Sequence, residues 1–211
     1  MDKTNAKAPK KIDKENVLMV EGQDEKNFFE ALLKTFEKNE VVQVIDVGGK
    51  DKFNSVFPVL WNNKTVEIKN IGFVRDAEDK KAVDAFQSIC NIIAKHDVLI
   101  PDEPCRIVKQ GGKRVGIFIM PNNNDCGMLE DLCLISVQDT YIYQCVECFV
   151  KSYTDKIDDK RYNLAKAKTL AYLSTQVPIV NSLGLASQQK VWNFENPCFS
   201  GINSFLKELF D

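Results

Sequence analysis

Val17-Leu18-Met19-Val20-Glu21-Gly22 and Ile71-Gly72-Phe73-Val74-Arg75-Asp76-Ala77-Glu78-Asp79 decide the fold of this 211-residue chain. Each is a short apolar run, rich in Val or Ile, that runs straight into carboxylates. A run of that kind, bounded by polar or Gly residues, is what a parallel strand covered on both faces looks like. In open α/β sheets ligands sit outside the carboxyl ends of such strands, so Glu21, Asp76 and Glu78 fall where chemistry is usually done. Carboxylates gathered there imply a metal.

Outward from these strands the pattern alternates. Phe28, Phe29, Leu32, Leu33 and Phe36 recur at helical spacing, with Asp24 as the expected N-cap. Residues 41–47 read as a second strand, followed by Gly48-Gly49-Lys50-Asp51 and a short helix bearing Phe53, Val56, Phe57 and Leu60. After Asp79 a helix carries Val83, Phe86, Ile89, Cys90 and Ile93 on one stripe. Extended runs at 105–108 and 115–120 flank Gln110-Gly111-Gly112-Lys113, which reads as a hairpin. This alternation predicts an α/β fold: a mostly parallel sheet, helices on both faces, and an antiparallel edge from the hairpin. Beyond Pro121-Asn122-Asn123-Asn124-Asp125 the pattern turns helical, with helices expected at 127–153, 159–176 and 201–210 and loops at 177–185 and 188–197. The expected organisation is a loose tail (1–14), an α/β core (15–121) and a helical extension packed on it (122–211).

Charge is nearly balanced, with 28 Lys plus Arg against 30 Asp plus Glu, so no global basic field advertises nucleic acid and any polyanion site must be local. No apolar run reaches membrane-spanning length and no signal pattern opens the chain, which points to a soluble cytoplasmic protein with no membrane partner. Seven Cys lie within apolar patterns, as expected of reduced and mostly buried thiols. Cys145-Val-Glu-Cys148 has no second Cys or His pair at zinc spacing, since the one histidine, His96, lies far upstream. The two thiols read instead as neighbours one helical turn apart on a buried face. His96 reads as a surface or helix-end residue.

On a strand, Asp76 and Glu78 leave the same face and can share one cation. Mg²⁺, or Mn²⁺, suits a few carboxylates with waters and substrate phosphate completing the shell. Glu21 then either bridges to a second ion or acts as a general acid or base, its pKa raised by acidic neighbours. Two ions there can stabilise both the attacking and the leaving oxygen of a phosphodiester. Gly48, Gly49 and Lys50, at the second strand's end, can bring N–H groups and an ammonium to a phosphate, although glycine pairs also make ordinary turns. Glu130 and Asp131 either complement the dipole of their own helix or face the same crevice. Arg75, Lys80, Lys81, Lys113 and Arg114 form a polyanion rim or a plain solvated surface. The plain alternative for the acidic run is helix capping, which Asp79 is expected to do. Neither a Ser, His and Asp arrangement nor a Gly-Lys-Ser phosphate loop is present.

With Val20-Glu21-Gly22 and the cluster at Asp76, residues 15–120 resemble the Toprim domain of topoisomerases, primases and overcoming-lysogenization-defect (OLD) type nucleases. That family carries a glutamate after its first strand and an Asp-x-Asp pair after its third. Val-Glu-Gly-x-Asp, Val47-Gly48-Gly49-Lys50, Gly127-Met-Leu-Glu130-Asp131-Leu and Trp192-Asn-Phe further resemble a group of small prokaryotic Toprim-like proteins of uncharacterised function. The resemblance implies Glu21 as catalytic acid or base, Asp76 and Glu78 as Mg²⁺ ligands, and Glu130 as a further acidic contributor. The pair here reads Asp-x-Glu, one methylene longer than the family's. No tyrosine can be assigned as a strand-passage nucleophile. The expectation is therefore Mg²⁺-dependent cleavage or transfer at a phosphodiester, in nucleic acid or another phosphodiester substrate. The alternative is a non-catalytic module whose acidic edge holds a metal or a protein partner. A phosphoacceptor receiver-like domain would want an acidic pair after the first strand and a Lys after the last, whereas Glu21 precedes Gly and Met120 precedes Pro.

Overall fold

The computed structural model describes residues 11–62, 65–156 and 162–211. Its order is β1 (Asn16–Val20), α1 (Gln23–Thr35), β2 (Val42–Asp46), a 3₁₀ turn, α2 (Phe53–Trp61), β3 (Asn70–Asp76), α3 (Ala82–Ile93), β4 (Ile107–Gln110) and β5 (Lys113–Met120). Helices α4 (Leu129–Ile135), α5 (Tyr141–Thr154), α6 (Leu164–Leu173), α7 (Leu183–Gln188) and α8 (Ser200–Phe210) follow. This is a mixed α/β, Rossmann-like fold with one five-stranded sheet in the order β2-β1-β3-β5-β4. The three inner pairings are parallel, and β4 adds antiparallel to β5 across a Gly111-Gly112 turn with both φ angles positive, 59° and 78°.

Strand alternation divides the interior in two. Val17, Met19, Ile71, Phe73, Ile117 and Ile119 pack with Phe53 and Phe57 of α2 and Phe86 and Ile89 of α3. Leu18, Val20, Val74 and Phe118 face the other way, onto α1 and every helix from α4 to α8. The chain leaves β1 through α1 to one neighbour, β2, and returns over the opposite face through α2 to the other neighbour, β3. The strand order therefore reverses between β1 and β3, and the carboxyl ends of those two strands flank the switch point.

Gly72 of β3 and Gly116 of β5 are register partners, and both lie beneath α8. An added Cβ would stand 2.7 Å from Leu209 at Gly72 and 2.7 Å from the Phe205 ring at Gly116. The missing side chains make the hollow in which the C-terminal helix sits.

Several local expectations are corrected. The single helix over 127–153 is two, because Thr140 starts a new one by accepting from the Tyr143 N–H at 3.2 Å. The expected loop at 177–185 gives way from Leu183 onward to α7, capped by Ser182, whereas residues 189–196 carry no helix or strand, as expected. Residues 157–161, where a helix start was expected, lie outside the described residues, and α6 begins after the cap Asn163. Cys145 and Cys148 are exposed rather than buried, since Val146 and Val150 form the inward stripe of α5. Val83 is exposed, and Ala82 and Ala85 take the inward places beside Phe86. The expected tail falls largely on residues 1–10, outside the described residues, while Ile12 is buried against the α2 and α3 layer. Among the described residues no helix is long and apolar enough to cross a membrane.

Gly116→Ala is expected to lower unfolding stability by about 1–3 kcal/mol, because a methyl group must displace the packed Phe205 ring. Gly201→Ala, in the same helical layer but with nothing within 4 Å of an added Cβ, is expected to be neutral or stabilising by up to about 1 kcal/mol. Urea unfolding of both variants checks the pair; equal effects would refute the packing account.

Candidate active site

Glu21 is the first residue past β1, and Asp76 is the last of β3. Parallel pairing of the two strands sets these ends side by side. The Asp76 backbone N–H donates to Glu21 Oε1 at 3.1 Å, and the Leu129 N–H at the start of α4 donates to Asp76 Oδ1 at 3.1 Å. One carboxylate is thus pinned by a neighbouring strand and the other by a helix from the C-terminal half.

Two more acids join them. Glu25 lies one helical turn beyond Glu21, in the first turn of α1, and Glu130 lies in the first turn of α4. Asp76 is partly exposed as a residue, yet its carboxyl group is enclosed by protein. Burial pushes its pKa well up, and the nearby charges of Glu21, Glu25 and Glu130 push it further, against the Leu129 hydrogen bond. Burial likewise raises Glu25 and Glu130, with the Lys166 ammonium of α6 opposing the shift in both. Glu21 is pushed up to about 7, chiefly by burial, with the Asp76 N–H and the Arg75 guanidinium pulling it back. Arg75 Nε lies 3.7 Å from Glu21 Oε1.

Glu78 takes a different place. The strand ends at Asp76, and Glu78 adopts a left-handed φ of 57° while its backbone exchanges two 2.7 Å hydrogen bonds with Gly127. Same-face alternation therefore stops short of it, and its carboxylate pairs with the Lys50 ammonium. It contributes only a minor repulsion to Glu21. The Gly48 and Gly49 N–H groups both donate to the Glu21 carbonyl, at 2.9 and 2.7 Å, so they hold the backbone of Glu21. Asp131 parts from Glu130: its Oδ2 accepts from the Met128 N–H at 2.8 Å and caps α4. Asp24 does not cap α1, whose N-cap is Gly22; it accepts instead from the Gly184 N–H at 3.2 Å and ties α7 to α1.

Sequence reasoning missed Glu25. Its signal was its spacing of four from Glu21, one helical turn along a chain entering a helix. Among the described residues, no three His, Cys, Asp or Glu side chains are grouped so as to hold a metal ion as they stand. What the site offers is a pinned carboxylate pair, Glu21 and Asp76, with Glu25 and Glu130 beside it.

A family model described as "Protein of unknown function (DUF3226)" matches residues 15–211. The chain belongs to that family. No curated protein matches it. The C-terminal region of the Xanthomonas campestris pv. campestris OLD protein, in its mercury-phased structure, shares 12% identity over 92% of this chain and 85% of that one, with a TM-score of 0.37. The iodine-phased structure of the same region gives 12% identity over 90% and 85%, also with a TM-score of 0.37.

A carboxyl group whose pKa is higher folded than unfolded binds more protons in the folded state, so stability falls as pH rises between the two values. For Glu21 that window runs from 4.5 to about 7, and Asp76 acts in the same direction. In chelator-treated buffer Glu21→Gln is expected to be more stable than the parent at pH 8, by at most about 3 kcal/mol, with the gap closing at pH 4. Thermal unfolding across that range checks this; a gap that widens on acidification would refute it.

Proposed function

We propose that this chain is a Toprim-type, Mg²⁺-dependent enzyme that cuts or transfers at a phosphodiester of nucleic acid. The observation that carries the reading is the enclosed Asp76 carboxyl group, in the electrostatic reach of Glu21, Glu25 and Glu130 at the switch point of the sheet. Four acids so placed repel one another, and a divalent cation relieves that repulsion directly. The donor set fits hydrated Mg²⁺, which takes one or two carboxylates and keeps several waters, better than it fits a closed protein cage. Asp76 and Glu21 would hold the ion, with the charges of Glu25 and Glu130 nearby. Once bound, the ion would polarise a phosphoryl oxygen and lower the pKa of a water.

The remaining work falls to the chain itself. The Asp76 N–H and the Leu129 N–H fix the orientation of the two central carboxylates. Where Asp76 alone holds the ion, Glu21, raised to about 7 by burial, is suited instead to exchange a proton with an attacking water or leaving hydroxyl near neutral pH. Lys50 and Arg75, on the other side of Glu21, supply positive charge for a substrate phosphate. The Toprim resemblance of Glu21 and Asp76 points the same way.

A second reading, a metal- or partner-binding module that breaks no bond, is favoured by the commitment of Glu78 to Lys50. Asp76→Asn is expected to weaken Mg²⁺ binding by about tenfold or more and to abolish cleavage of labelled DNA or RNA in Mg²⁺ or Mn²⁺. Titration calorimetry and the cleavage assay on parent and variant decide between them. An unchanged titration would sink the metal site; metal binding without cleavage of any strand would leave the module.

A further inference from the structure

Arg75 sits one residue before Asp76, so strand alternation sends it to the opposite face, toward α2 and α3. There it helps line an open cleft of about 500 Å³ together with Lys50, Asn54, Gln87, Asn91 and Lys95. That volume falls within the range of small-molecule sites, about 300–1,000 Å³. The acids Glu25, Asp76 and Glu130 are not among its walls. The cleft borders the acid cluster where Arg75 and Lys50 approach Glu21.

We propose that this cleft holds one nucleotide of a nucleic-acid strand, its phosphodiester at Arg75 and its base against the amides of Asn54, Gln87 and Asn91. The inference deepens the phosphodiester reading above and rests on it for its purpose.

Three observations carry it. First, Arg75 Nε is buried and has no hydrogen-bond partner among the described residues. That atom stands 3.7 Å from Glu21 Oε1, which turns the head group's charge to the boundary, and the part of Arg75 that lines the cleft is left for a phosphate oxygen, the acceptor whose geometry matches the guanidinium fork. Secondly, Gln87 and Asn91 stand one turn apart on α3, and the Gln87 Nε2 donates to Asn91 Oδ1 at 3.0 Å. That bond fixes both amide planes and leaves the Gln87 carbonyl and the Asn91 amino group to offer an acceptor and a donor, the paired pattern of a base edge. Half-buried Ile92 adds an apolar patch to the same wall. Thirdly, the charge suits a single negative unit. Asp51 and Asp84 also line the cleft, Lys50 is engaged by Glu78, and Arg75 is shared with Glu21. Lys95 makes no ion pair among the described residues, so the excess of positive charge is small. A phosphodiester carries one charge at neutral pH, and a nucleoside triphosphate would overload the cleft.

The test uses the whole chain in EDTA, so that no metal step enters, with a fluorescent oligonucleotide of about ten residues in anisotropy titrations. The double variant Gln87→Ala, Asn91→Ala changes two exposed side chains on α3 and should leave the melting temperature and Mg²⁺ titration at parental values. Oligonucleotide affinity is expected to fall about tenfold or more, with abasic oligonucleotide binding equally to both proteins. Unchanged affinity for the base-bearing strand overturns the proposal. Mononucleotides that compete as well as the strand, at matched nucleotide concentration, also overturn it and assign the cleft to a free nucleotide. Oligonucleotide binding that depends on Gln87 and Asn91, in a chain that never cleaves, sinks only the catalytic reading. Cleavage with no dependence on these amides sinks only the cleft.

Discussion

Carboxylates enclosed at the junction of two strand ends and two helix starts impose the constraint to which the surrounding structure answers. An ionised group removed from water needs hydrogen bonds or counter-charge in exchange. Here Glu21 takes the Asp76 N–H, Asp76 takes the Leu129 N–H, and Arg75 stands beside Glu21. Each compensation is also a structural tie. The first locks β1 to β3 at their ends, and the second anchors the start of α4 to the sheet. Gly127, with a φ of 133° and no room for a Cβ beside Asp131, then lets the chain turn from its bridge with Glu78 into that helix.

Enclosure of the acids depends in turn on the helices that follow β5. Those helices share one hydrophobic cluster with α1 and one face of the sheet, centred on residues such as Leu132, Trp192 and Phe199. Trp192 stacks on Tyr172 of α6 at 5.7 Å and donates to the Leu183 carbonyl of α7. The α7 helix approaches α1 so closely at Gly184 that an added Cβ would lie 2.7 Å from Asn27. By holding α1, α4 and α6 together, this packing keeps water from Asp76 and sets Lys166 near Glu25 and Glu130. Packing, desolvation and raised pKa values are thus successive consequences of one arrangement.

Short continuous apolar runs that end in carboxylates made the strands and the strand-end positions of Glu21 and Asp76 legible in the sequence, because a buried strand and its polar end are both local signals. The hairpin was legible for the same reason, through Gly111-Gly112. Glu78 was misplaced because alternation holds only while the backbone stays extended, and β3 ends two residues earlier. Lys166 escaped notice because its approach to Glu25 and Glu130 depends on how α6 packs beside α1 and α4, which no short window records. The split at Thr140 was masked by the apolar residues on both sides of it, and the face of α5 that turns inward is set by Val146 and Val150 rather than by the thiols. Gly72 and Gly116 did carry a readable signal, since a glycine in a strand interior marks a close approach, but not which helix would arrive.

The same alternation gives the edge of the sheet two chemical sides. Consecutive residues Arg75 and Asp76 must diverge, so a cation goes to the α2 and α3 face and a carboxylate to the α1 and α4 face. Glu21 touches both, through Arg75 Nε on one side and the Asp76 N–H on the other. The Lys50–Glu78 pair keeps a further opposite charge at this boundary, where Gly48 and Gly49 hold the Glu21 carbonyl. A single strand end therefore sets the Arg75 cation and the Asp76 carboxylate apart by the thickness of the backbone. That separation follows from β geometry alone, and Glu21, within reach of the Arg75 guanidinium and the Asp76 N–H, joins the two sides.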